Sequence, residues 1–183
     1  YLMEGLPKGI LPGIPWFRKL LLWMIAVLPA AVRQRHQRKD NCKGWAKNIQ
    51  QVVMKLMMWL VKARDVAIDD LYDIQSFMQH VTQDTIGSFI QHLTDLGFKQ
   101  NSLKNLEYHL AAFMHGLSRY ARTKKLAKSD DMAEMADTAT DVKSSASKRG
   151  TWARKEAREK WTRKNICKKL GVTREPTPGM LWG

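Results

Sequence analysis

The sequence predicts an all-α protein: a compact four-helix domain held between basic amino- and carboxy-terminal arms. Apolar residues recur at three- and four-residue steps in four successive stretches between Lys43 and Arg122, the period of a helix that buries one face. Short polar turns separate these stretches, as in helices packed against their chain neighbours. Charge is the third observation. Residues 1–65 carry a net +9, residues 66–120 a net −3 and residues 121–183 a net +8, so a near-neutral centre lies between two cationic flanks. Hydrophobic residues make up 44% of the 183, which is enough to build a core and excludes disorder throughout.

The first region is 1–42. Pro7, Pro12 and Pro15 with Gly5, Gly9 and Gly13 prevent a continuous helix, so the first fifteen residues read as an extended lead-in. Leu20 to Val32 is then almost wholly apolar, with Arg18 and Lys19 before it and Arg33, Arg35, Arg38 and Lys39 after it. Thirteen residues, with Pro29 among them, fall short of the ~20 that cross a bilayer. The segment reads first as a short helix packed on the following domain or within a larger assembly. The alternative is an interfacial anchor whose basic flanks meet anionic headgroups. Leu20, Leu21, Leu22, Trp23 and Ile25 form this membrane or partner patch. Starting at Tyr1 without an initiator Met, the chain reads as a processed product or an excerpt.

The core domain is 43–125. Its first helix, from Lys43 to about Arg64, places Trp45, Ile49, Val52, Val53, Leu56, Met57, Trp59 and Leu60 inward. Asp69 and Asp70 open a second helix, where carboxylates complement the amino-terminal dipole, with Leu71, Ile74, Phe77, Met78 and Val81 as its apolar positions. A third starts near Thr82 to Asp84 and stops at Gly97. A fourth, capped by Asn101 or Ser102, carries Leu103, Leu106, Leu110, Phe113, Met114 and Leu117 and runs out near Arg122. Residues 126–150 lack aromatic residues and are rich in Ala, Ser, Thr, Asp and Lys, the composition of a linker with at most a transient helix at Asp130 to Ala136. The last region, 151–183, is a basic helix ended by Gly171 and followed by an extended tail with Pro176 and Pro178.

No residue constellation points to catalysis. His80, His92, His109 and His115 form no HxxxH pair, so no two imidazoles share a helix face at metal-ligand spacing. No base stands beside a Ser or Cys, and no glycine-rich phosphate loop occurs. The carboxylates at helix starts read as caps. We therefore expect no enzyme, no cofactor and no metal. Cys42 and Cys167 lie far apart and fit a reducing compartment such as nucleus, cytoplasm or organelle matrix, with a single disulfide as the alternative.

The net charge of +14 points instead to a polyanionic partner. Three clusters carry it. Arg33, Arg35, Arg38, Lys39, Lys43 and Lys47 form the first; Arg119, Arg122, Lys124, Lys125 and Lys128 form the second. The third runs from Lys148 to Lys169 and includes Arg154, Arg158 and Arg163, with Trp152 and Trp161 placed to stack on unpaired bases. Those two tryptophans, nine residues apart, lie about 180° apart around a helix and share no face.

Thr85-Ile86-Gly87-Ser88-Phe89-Ile90-Gln91-His92-Leu93, the stop at Leu96-Gly97-Phe98, and Gln100-Asn101-Ser102-Leu103-Lys104-Asn105-Leu106 followed by Leu110, Phe113 and Met114 keep a familiar rhythm. Over Leu71 to Tyr120 the chain resembles the core-binding domain of tyrosine recombinases, the helical module preceding their catalytic domain. Leu106 stands where that family has an aromatic residue, and no Trp occurs between Gly116 and Tyr120. The family's catalytic Arg, His-x-x-Arg and Tyr nucleophile have no counterpart here. The resemblance thus implies a DNA-gripping module without strand cleavage, with Lys99, Lys104 and Arg119 nearest the duplex. The expected function is non-catalytic nucleic-acid binding, with DNA favoured over RNA. The alternative is a structural subunit of an organellar ribosome or membrane complex whose basic arms contact RNA, lipid or partner subunits.

Overall fold

The computed structural model describes residues 14–27 and 41–171, excluding the side chains at 41–43, 157, 159–167, 169 and 170. Helices account for nearly all of this, and no strand occurs among the described residues. Among the described residues the core is built from six α-helices rather than four, because segments from the expected amino-terminal arm and from the expected linker pack into it.

Helix α1, Pro15–Val27, begins five residues before the expected apolar segment. Proline is tolerated at the first helical position, where its missing N–H would have no intrahelical acceptor. Trp16, Phe17, Leu20 and Met24 are buried on one face. The Trp16 indole Nε1–H donates to the Leu71 carbonyl at 3.0 Å, and Phe17 lies 6.0 Å from the Phe113 ring. The apolar segment packs on the following domain, the first of the two readings its sequence allows. Leu20 is fully buried, and Leu21, Trp23 and Ile25 are half-buried against the core, so only Leu22 of the five is exposed.

Helix α2, Asn41–Ala63, buries all eight residues its periodicity selected. It ends through Asp65, whose φ of 51° lets the Val66 amide return to the Leu60 carbonyl. Aspartate is one of the few residues besides glycine that enters this region readily. The second expected helix is divided. A 3₁₀ turn, Ile68–Leu71, precedes α3, Ile74–His80. Asp73 makes the division: its carboxylate accepts from the Ser76 amide at 2.8 Å and the Ser76 hydroxyl at 2.9 Å, starting a new helix.

Helix α4, Gln83–Asp95, is capped by Thr82 and followed by Gly97 at φ 81°, as its sequence indicates. Helix α5, Gln100–Lys124, buries the whole expected stripe from Leu103 to Leu117. Its N-cap is Lys99, with no side-chain cap bond; Asn101 and Ser102 lie already within the helix.

The expected linker at 126–150 is overturned. Ser129–Leu170 is a single 42-residue helix, α6. Met132, Met135, Ala139, Val142, Ala146 and Ala153 are buried at steps of three, four, three, four and seven residues, the seam of two helices lying side by side. α6 packs chiefly on α5 and runs antiparallel to it: Ser118 Oγ–H donates to the Met132 carbonyl, while Gln100 meets Arg149. The small residues that resemble a linker in composition are what let the two backbones approach.

Candidate nucleic-acid interface

The antiparallel α5–α6 pairing decides which cations meet. The amino end of α5 lies beside residues 145–154 of α6, and there two predicted site residues from different helices converge on Gly150. Lys104 crosses α6 at that glycine. A methyl group built on Gly150 would stand 3.1 Å from Lys104 Cδ, 3.2 Å from Cε and 3.6 Å from Nζ. Arg154, one turn further along α6, meets the same glycine, its Nε–H donating to the Gly150 carbonyl at 3.1 Å. Lys99 is exposed one position before α5. The first amides of α5 lack a side-chain acceptor and add the positive end of a helix dipole to these three cations.

A buried ion pair fixes this junction. Glu107 is fully buried; its Oε1 accepts from Arg149 Nε–H at 2.9 Å and from the Ser145 hydroxyl at 3.1 Å. Arg149 also donates to Gln100 Oε1 at 2.8 Å, joining the start of α5 to α6. Glu107 Oε2 has no partner among the described residues. The pair holds α6 in place just before the helix leaves the core.

Ala153 is the last buried residue of α6 among those described. Beyond it α5 has ended, and Arg154, Lys155, Arg158 and Lys168 are exposed while Glu156 is half-buried. Residues 154–170 contain eight basic residues and two acidic ones. At 1.5 Å per residue this basic section is about 25 Å long. Trp152, 56% exposed, sits at its base.

The other predicted cations are elsewhere. Arg119, Arg122, Lys124 and Lys125 are exposed towards the far end of α5, 15 to 21 positions from Lys104 and so about 22–32 Å along the helix. They do not join the Gly150 cluster. Arg33, Arg35, Arg38 and Lys39 lie outside the described residues, as do the side chains of Trp161 and Arg163.

The histidines make ordinary local contacts. His80 lies 3.2 Å from Asp70, and the His109 Nδ1–H donates to the Asn105 carbonyl at 2.6 Å. Burial, and secondarily the charge of Lys143, lowers the His115 pKa below its ordinary 6.5. No group of three or more potential metal ligands occurs among the described residues. No described helix is long and apolar enough to cross a membrane.

Sequence reasoning missed Gly150 and Glu107. Both left a signal: Glu107 falls inside the apolar stripe between Leu103 and Leu110, and Gly150 interrupts a run of helix formers at a cost of about 1 kcal/mol relative to Ala. Compared with known proteins, the chain matches no family model, no curated sequence and no solved structure.

Proposed function

We propose that this chain is a non-catalytic nucleic-acid-binding module that grips duplex DNA through the amino end of α5 and the basic section of α6. The convergence of Lys104 and Arg154 on Gly150, at the base of a cationic helix with no described core contact beyond Ala153, carries the reading. Neither Lys104 nor Arg154 has a carboxylate partner among the described residues, so both are free to neutralise phosphates.

Helix dimensions favour duplex DNA. The B-form major groove is about 12 Å wide and admits a helix, whereas the deep, narrow major groove of A-form RNA does not. A helix without an apolar stripe suits a groove walled by phosphates on both sides. The resemblance of Leu71 to Tyr120 to a recombinase core-binding domain supports the same partner. Trp152 would contact sugar or a base edge at the groove margin.

The test is fluorescence anisotropy of the full chain with duplex DNA, single-stranded DNA and structured RNA across a salt series. Removing residues 14–27 would take Trp16, Phe17, Leu20 and Met24 from the core, so a truncated chain is unsuitable. Contact with about five phosphates predicts a log–log salt slope near −4.5 for the duplex. The Lys104→Gln/Arg154→Gln variant should make that slope shallower by about 1.8. Equal binding to all three nucleic acids, with a slope the variant leaves unchanged, would refute the proposal.

A further inference from the structure

At the opposite end of α5 from Gly150, an open groove of about 760 Å³ runs between α1, the segment around Tyr72 and the carboxy-terminal end of α5. Leu22, Tyr72 and Leu126 line it and are 61%, 45% and 39% exposed, which puts three of the eight exposed large hydrophobic side chains of the described residues on one concave surface. Trp23 and Tyr120, stacked edge-on at 5.6 Å, contribute an aromatic wall. Lys19 and Lys124 are the cations of the rim. Its one carboxylate among the described residues, Asp73, is engaged with Ser76.

We propose that this groove docks an acidic amphipathic helix of another protein. Concavity and aromatic lining fit the apolar face of such a helix, and Lys19 and Lys124 would meet its carboxylates. Among the described residues, a second copy of this chain offers no acidic amphipathic helix with a free apolar face. Its own acidic run, Asp130 to Asp141, belongs to α6, where Met132, Met135, Ala139 and Val142 are already buried against the rest of the fold. The flanks also lack the charge, since residues 1–13 and 172–183 are each net neutral and residues 28–40 carry +3. Lys104 and Lys124 are 20 residues apart on α5, about 30 Å, so the groove and the Gly150 cluster could be occupied together.

The test uses the full chain and a fluorescein-labelled 18-residue helical peptide with Leu on one face and Glu on the other. Leu22→Ser should weaken binding at least fivefold, and so should the Lys19→Gln/Lys124→Gln pair. Arg154→Gln/Arg158→Gln should leave it unchanged. All these positions are exposed, and circular dichroism checks that each variant folds. Four results would overturn the proposal. Equal binding of a scrambled peptide of the same composition would reduce it to general charge attraction, as would equal weakening by the α6 variants. Leu22-dependent binding to phosphatidylglycerol vesicles without peptide binding would assign the groove to lipid. Peptide binding only after removal of residues 1–13 would assign it to the chain's own lead-in.

Discussion

Replacing Arg149 by Met tests whether one buried ion pair holds α6 to the core. Glu107 is fully buried and the Arg149 side chain is 24% exposed, with 2.9 Å between Oε1 and Nε. At an effective dielectric of about 20, unit charges about 4 Å apart attract by roughly 4 kcal/mol. Arg149→Met removes that attraction and leaves a carboxylate in the core with only the Ser145 hydroxyl beside it. Orphaning one partner of a buried pair typically costs about 3–5 kcal/mol, and we expect that loss in urea unfolding of the full chain at neutral pH with an unchanged m-value. Replacing the whole cluster is different. Glu107→Leu/Arg149→Met/Ser145→Ala exchanges charges for apolar packing and should return stability to within about 1 kcal/mol of the parent. A loss under about 1 kcal/mol for Arg149→Met, or a triple variant as weak as the single one, would refute this account.

Three further outcomes are expected. Leu20→Ala should cost about 2–5 kcal/mol while Leu22→Ala stays within about 0.5, because only the first residue is buried; thermal unfolding of the two variants separates a core helix from a free patch. Gly150→Ala should raise helix stability by up to about 1 kcal/mol while displacing the Lys104 side chain, so duplex affinity in the anisotropy assay falls severalfold as melting temperature rises. Because folding lowers the His115 pKa, the unfolded chain takes up the proton first as pH falls. The stability contributed by neutral His115 is therefore complete above about pH 6.5 and declines below it towards the lower folded value. His115→Gln should flatten that part of the stability–pH curve, measured by urea unfolding from pH 7.5 to 5.

The legible parts of the fold were those in which large apolar residues kept a helical period. Trp45 to Leu60 in α2 and Leu103 to Leu117 in α5 could be read directly because Trp, Leu, Phe and Met stand out against polar neighbours. The α6 seam was illegible for the opposite reason. Four of its buried residues, Ala139, Ala146, Ala153 and Thr138, bury little surface each, and their composition matches that of an unstructured connector. Only the three-and-four spacing distinguishes the two, and Met132, Met135 and Val142 are too few to make it obvious. Among the candidate binding residues, sequence identified Lys104 and Arg154 as cations. It could not bring them together, because their meeting depends on an antiparallel pairing that the linker reading removed. Apolarity alone also left Leu20 to Ile25 open between packing and an interfacial anchor, because the side of α1 facing α5 is set by partners such as Phe113 and Tyr120, about a hundred positions further along.

That separation has a consequence during synthesis. The apolar face of α1 is made early, yet Phe113, which closes over Phe17, follows 96 positions later. At translation rates of about 5–20 residues per second, the nascent segment waits roughly 5–20 s for its partner. Trp16 meets Leu71 and Phe77 sooner, but the Phe17 side of this amphipathic helix waits the whole interval for its ring partner on α5. A ribosome-associated chaperone would therefore find its natural foothold on this protein at α1, and its release would coincide with the emergence of α5.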